Sequence, residues 1–217
     1  MLPSSEPRNG GGPVTDDVKR FDRHYFDRWY RDPRHRVATP AEVRRRALLA
    51  VGVAEFVLGR PVRSVLDVGC GEGSWRAPLL RLRPRLRYEG VDASEYVVRR
   101  YGRSRAIRLG SVGELGHAGL RGRFDLVICA DVLHYLEARE VERGLGHISR
   151  LLGSVAYLPT FTSADDVEGD VGAVRRRSPR WYLSRFAAAG LVPLGLDFHA
   201  RSSTTGMLSA LELPFAR

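Results

Sequence analysis

Between Ser64 and Trp75 the chain reads SVLDVGCGEGSW, and this stretch limits the fold more than any other. Val65, Leu66 and Val68 make a short β-prone body. Gly69, Gly71 and Gly73 follow at alternate positions, where the backbone is free to take φ > 0 and a ligand can approach the main chain closely. Ser74 stands where it would cap a helix starting at Trp75. A strand, a glycine turn and a helix in succession make a nucleotide site, because ligands of parallel α/β sheets lie at the carboxyl ends of the strands.

Spacing narrows the choice of nucleotide. Counted from Gly69, the dinucleotide fingerprint G-x-G-x-x-G/A puts its third small residue on Ser74, an imperfect fit. The chain instead carries D-x-G-x-G-x-G from Asp67. An acid directly ahead of the glycines would repel a pyrophosphate and suits a ligand bearing positive charge. This segment resembles the first motif of the class I S-adenosyl-L-methionine-dependent methyltransferases, whose cofactor carries a sulfonium and an ammonium group.

The 217 residues are enough for one domain with a substantial core. No run approaches the roughly 20 apolar residues of a membrane span, and no signal-peptide core opens the chain, so a cytoplasmic protein is expected. Cys70 and Cys129 form neither a disulfide framework nor a metal set and are expected to be small core residues. The net charge is +10, yet Lys19 is the only lysine. So strong an arginine bias, spread along the chain, fits the coding preference of a G+C-rich bacterial genome better than selection for phosphate contacts. A solvated basic surface is therefore expected rather than a nucleic-acid site.

Organisation follows from punctuation and periodicity. Residues 1–13 are rich in Gly, Pro and Ser and read as a disordered tail. Residues 14–60 read as an N-terminal helical lid or cap. In its first helix, from Asp16 to Tyr30, the aromatics Phe21, Tyr25, Phe26, Trp29 and Tyr30 recur at helical spacing. Thr39-Pro40-Ala41-Glu42 then opens a second helix with a capping box, running to about Leu58. Val43, Ala47, Val51, Ala54 and Leu58 face inward on it, and Arg44–Arg46 form a solvated turn. Residues 61–217 read as the main domain, in which strands at 64–68, 86–91, 106–109, 124–130 and 155–158 alternate with helices. Two further strands, 191–199 and 205–213, close the chain as a hairpin. The alternation argues for an α/β sandwich on a mostly parallel sheet. The family resemblance implies three layers and seven strands in the order 3-2-1-4-5-7-6, with strand 7 antiparallel.

Asp92 ends the second strand about twenty residues after the glycines, where an α/β nucleotide domain places an acid to accept the ribose hydroxyls. Ser94 beside it can cap the next helix. Phe124 to Leu136, FDLVICADVLHYL, is similar to the fourth-strand motif of methyltransferases with small-molecule substrates. The resemblance assigns the cofactor to Asp67, Gly69, Cys70, Gly71 and Gly73, to Asp92 and Ala93, to Ser111 and Val112 at the adenine, and to Cys129 and Ala130 at the methionine end. Ser111 stands where the family usually has an Asp; a hydroxyl can accept the same hydrogen bond. His134 is the expected general base, because imidazole titrates near neutral pH, with Asp131 as a second candidate. Tyr25, Tyr30, Arg36, Tyr135 and Trp181 are the expected acceptor contacts. Their rings suit a flat small molecule, and Arg36 suits a carboxylate or phosphate.

The expected reaction is transfer of a methyl group to an O, N or C nucleophile of a small-molecule acceptor, by a monomer or homodimer, without a metal. An RNA or protein methyltransferase and a non-catalytic S-adenosylmethionine-binding regulator are the alternatives. The chain lacks the Asn/Asp-Pro-Pro-Tyr signature of amino methylation on nucleic-acid bases and protein glutamine, and Asp67 with Ser74 speaks against a nicotinamide oxidoreductase.

Overall fold

The computed structural model describes residues 21–166, 169–170 and 172–207. Seven strands form one sheet in the order β3-β2-β1-β4-β5-β7-β6. They are β1 (Ser64–Val68), β2 (Arg87–Asp92), β3 (Ile107–Leu109), β4 (Phe124–Ile128), β5 (Leu152–Tyr157), β6 (Leu191–Gly195) and β7 (Phe198–Arg201). β1 pairs in parallel with β2 and β4, β2 with β3, and β4 with β5. β7 slots antiparallel between β5 and β6. All five residues of β1 and of β4 are buried, as expected of central strands covered on both faces.

Strand alternation divides the core. Val65, Leu126 and Ile128 pack with helices α2 (Pro40–Leu58) and α3 (Arg76–Leu82). Leu66, Val68 and Val127 pack with α5 (Ala138–Leu151) and α6 (Pro179–Ala188). The result is a three-layer sandwich. α4 (Glu95–Arg105) lies against β2 and β3 and contributes Val97 to a smaller cluster.

Local signals explain most element starts. Glu42 N–H donates to Thr39 Oγ1 at 3.2 Å and Thr39 N–H donates to Glu42 Oε2 at 2.7 Å, so the capping box forms. Ser94 and Ser178 cap α4 and α6. Ser74 does not act as a cap. The turn runs on through Trp75, and α3 begins at Arg76 without a side-chain cap.

Two further expectations change. The 191–199 strand is itself the hairpin: the chain reverses at Leu196 and Asp197, both at positive φ (50° and 64°), as a two-residue type I′ turn requires. Of the expected 205–213 strand, Ser202–Met207 is a 3₁₀ helix and the remainder lies outside the described residues. So do the tail and residues 16–20 of the first helix. What is described of that helix is one α-turn, α1 (Arg23–Phe26), capped by Asp22, and a π-helical turn, Asp27–Arg31. Among the described residues no helix is long and apolar enough to cross a membrane.

Candidate functional site

Gly69, Gly71 and Gly73 all have positive φ, between 53° and 73°. Their turn reaches back to the second strand: Gly69 N–H and Cys70 N–H both donate to the Val91 carbonyl. Asp92 completes the joint. Its Oδ2 accepts from Gly71 N–H at 2.7 Å and its Oδ1 from Ser94 N–H at 2.9 Å. A carboxylate has about four acceptor sites, so lone pairs remain for a ligand. Burial raises the Asp92 pKa against the pull of these two N–H donors.

Asp67 lies below the turn, 2% exposed, and accepts from the Tyr88 hydroxyl at 2.7 Å. Burial pushes its pKa up to about 7; the Tyr88 bond opposes this and the Asp92 charge adds to it. Neither acid has a guanidinium partner among the described residues. Two buried acids behind a glycine turn favour a ligand that brings positive charge.

Above them lies a cavity of about 800 Å³. It follows the carboxyl ends of the strands, with Gly69 after β1, Asp92 and Ala93 at β2, Ser111 and Val112 after β3, and Ala130 and Asp131 after β4. The Ser111 hydroxyl donates to Glu114 at 3.0 Å, which leaves its oxygen free to accept. Phe21, Tyr25 and Phe26 of the N-terminal segment line the cavity too. They are held there by Arg31, which pairs with Glu72 in the glycine turn, and by Phe26, packed with Cys70, Val97 and Ile107. Tyr25 and Tyr135 both donate to Asp170 Oδ2, at 2.9 and 3.2 Å, joining that segment to the β4 and β5 loops.

With this geometry in view, similarity to known proteins becomes informative. Residues 66–158 match the family model described as a methyltransferase domain. The sheet order and the antiparallel seventh strand agree with it. Over those residues the chain is similar to a methyltransferase domain, and its sheet has the class I methyltransferase fold. A sugar N-methyltransferase from Streptoalloteichus sp superimposes with a TM-score of 0.60 at 20% identity, covering 91% of this chain and 99% of that one. The magnesium protoporphyrin IX methyltransferase of Synechocystis, solved with bound SAM, gives 0.55 at 20% identity over 84% and 93% of the two chains. At these identities the likeness is one of fold. An uncharacterized protein of Synechococcus sp. is 31% identical over 115 residues, 50% of this chain and 27% of that protein. The chain thus spans about a quarter of that relative's length.

Several expected contacts sit elsewhere. His134 is fully buried and lines neither this cavity nor the smaller one beside it. Its Nδ1 accepts from Phe161 N–H at 3.3 Å, its carbonyl accepts from Arg175 N–H, and its ring packs on Tyr135 and Phe161. It braces three loops. Trp181 is also off the cavity walls. It packs on the α5–α6 core, with the Arg177 guanidinium 4.4 Å from its ring. Cys70 and Cys129 are both buried, and burial raises both thiols, so their side chains belong to the core. Tyr30 covers the glycine turn, its hydroxyl filling the space a side chain at Gly71 would need.

Arg46 was expected in solvent and is instead half-buried. Its Nη1 meets Asp131 Oδ2 at 2.8 Å and its Nε donates to the Tyr157 hydroxyl at 3.1 Å. The signal available was its place on the edge of the inward stripe, between buried Val43 and Ala47. Asp131 itself sits at φ 60°, a conformation a non-glycine residue holds only when its surroundings impose it.

Proposed function

We propose that the protein transfers a methyl group from S-adenosylmethionine to an O, N or C nucleophile of a small molecule. The observation that carries this reading is the continuous wall from Gly69 through Asp92 and Ser111 to Asp131, backed by two acids that lack cationic partners among the described residues. Asp92 takes the ribose hydroxyls, the Ser111 oxygen accepts from the adenine amino group, and the backbone at Gly69, on the cavity wall, faces the aminoacyl part. S-adenosylmethionine, when bound, supplies a methyl group on a sulfonium, and the carbon–sulfur bonding pair stays on sulfur as the acceptor's lone pair forms the new bond. Most of the protein's contribution is placing the acceptor in line and keeping water out.

Asp131 is the group we assign to receive the acceptor's proton, since it lies on the cavity wall and is fixed by Arg46. His134 is assigned as a positioning residue behind Tyr135. With an acceptor that turns over, Asp131→Asn is expected to slow transfer about 100-fold or more, the usual size of a general-base effect. His134→Gln is expected to stay within a few-fold of wild type. The reverse ranking would restore His134 as the base.

Calorimetry tests the cofactor. S-adenosylmethionine and S-adenosylhomocysteine are expected to bind and NADH not to; binding of NADH alone would sink the reading. Asp92→Asn keeps one acceptor for the turn, and loss of the charge-assisted bonds to ribose is worth about 1.5–3 kcal/mol. The Kd should rise roughly 10- to 100-fold, with the melting temperature lowered by a few degrees because the new amide faces one of the two backbone donors.

A further inference from the structure

A second cavity, about 360 Å³, adjoins the first and shares Ala130 and Asp131 with it. Its volume suits a small molecule. Its lining is unusual in two respects. Three aromatic residues, Trp29, Tyr30 and Trp75, line it, as do four arginines, Arg36, Arg44, Arg46 and Arg81. Asp131 is the one carboxylate on its lining, and Arg46 already engages it.

The other three arginines are not compensated. Among the described residues Arg36, Arg44 and Arg81 form no ion pair. Arg44 and Arg81 are exposed, so water satisfies them. Arg36 is different: its Nε is buried and makes no hydrogen bond. A buried guanidinium N–H without an acceptor is unfavourable and calls for an oxyanion, which a guanidinium grips through parallel N–H donors. Aromatic walls beside it call for a planar apolar body.

We propose that this second cavity is the acceptor chamber, and that the acceptor is a planar small molecule bearing a carboxylate or phosphate. Arg36 holds the anion, with Arg44 and Arg81 adding attraction from the exposed side. Trp29, Tyr30 and Trp75 flank the ring, and Ala130 and Asp131 form the passage to the cofactor cavity. This assignment rests on the methyl-transfer reading and gives it a substrate class. It also explains why the N-terminal segment lies over the glycine turn: Trp29, Tyr30 and Arg36 all come from it.

The test is calorimetry on the full chain saturated with S-adenosylhomocysteine, using matched probes. The probes are 4-hydroxybenzoate, phenyl phosphate and the neutral 4-hydroxybenzamide. At least one anion is expected to bind ten-fold or more tighter than the amide, with affinity falling as salt rises from about 50 to 500 mM. Comparing carboxylate with phosphate tells which oxyanion is preferred. Arg36→Met is expected to weaken the anion ten-fold or more while leaving the affinity for S-adenosylhomocysteine unchanged. The exposed Arg81→Met gives the same direction at smaller size should Arg36→Met fail to fold. Equal binding of acid and amide, or no binding of either anion while S-adenosylhomocysteine binds normally, would overturn the proposal. So would an Arg36→Met variant that loses S-adenosylhomocysteine and keeps the anion, since the arginine would then serve the cofactor's own carboxylate. Failure of S-adenosylhomocysteine to bind wild type at all is read in a separate titration and strikes the methyl-transfer reading itself.

Discussion

Asp67 carries the sharpest residue-level consequence. Its folded pKa of about 7 stands above the ordinary 3.8, chiefly through burial. The stability associated with its neutral form is complete below pH 4 and is lost as pH rises toward and through 7, by on the order of a few kcal/mol in the unliganded protein. A cationic ligand reverses the benefit, because the ionised acid attracts it. S-adenosylmethionine and S-adenosylhomocysteine share their ammonium and differ by the sulfonium charge. The ratio of their affinities should therefore shift in favour of S-adenosylmethionine between pH 6 and 8, and Asp67→Asn should flatten that shift. A ratio independent of pH in wild type would show that Asp67 is not sensed at the sulfonium. The acid ahead of the glycines was visible in the sequence. Its pKa was not, because that depends on Tyr88, twenty-one residues on, and on the layers that exclude water.

Among the elements, starts were more legible than ends and turns. A capping box or a Ser-Pro pair acts within four residues, so Thr39–Glu42 and Ser178–Pro179 mark helices wherever they pack. The β6–β7 turn is the contrary case. Leu191 to His199 is apolar enough to read as one strand, and Leu196 is a poor residue for positive φ. The antiparallel pairing of β7 with β5 imposes the reversal there, leaving Leu196 73% exposed. A left-handed non-glycine residue costs about 1 kcal/mol. Replacing Leu196-Asp197 by Asn-Gly, the residues a type I′ turn prefers, is expected to raise stability by about 1 kcal/mol and the melting temperature by about 2–4 °C. A lower melting temperature would mean that Leu196 makes a contact worth more than the strain.

For the whole molecule, a buried histidine one strand in from the β6 edge bears on acid sensitivity. His199 on β7 is 4% exposed, packs on Phe186, and donates from Nδ1 to the Asp197 carbonyl. Burial lowers its pKa from 6.5 to about 4. A depressed histidine must stay neutral in the folded state. Its contribution is complete above pH 6.5 and is lost as pH falls toward 4, by about 3 kcal/mol at most. Urea midpoints measured from pH 7 to pH 4 should fall, and His199→Gln should lose part of that slope. An unchanged slope would assign the acid sensitivity to other groups. The same tertiary scale assembles the second cavity: Arg46 meets Asp131 across 85 residues of sequence, and Arg36 shares the cavity with Arg81.

The sequence alone determined the alternation of strands and helices, the glycine turn and the acid at the end of the second strand. Each of these is written in contacts within a few residues or in the two periodicities of the backbone. Only the tertiary structure decided which side chains reach the cavities. His134 and Asp131 are three residues apart, and the histidine is the first choice as base on chemistry alone, yet packing seals it in the core and leaves Asp131 on the wall. Arg46 belongs to a basic run that reads as solvated, yet the helix turns it inward to a carboxylate. Burial and pairing at these positions depend on segments far along the chain, and no local pattern encodes them.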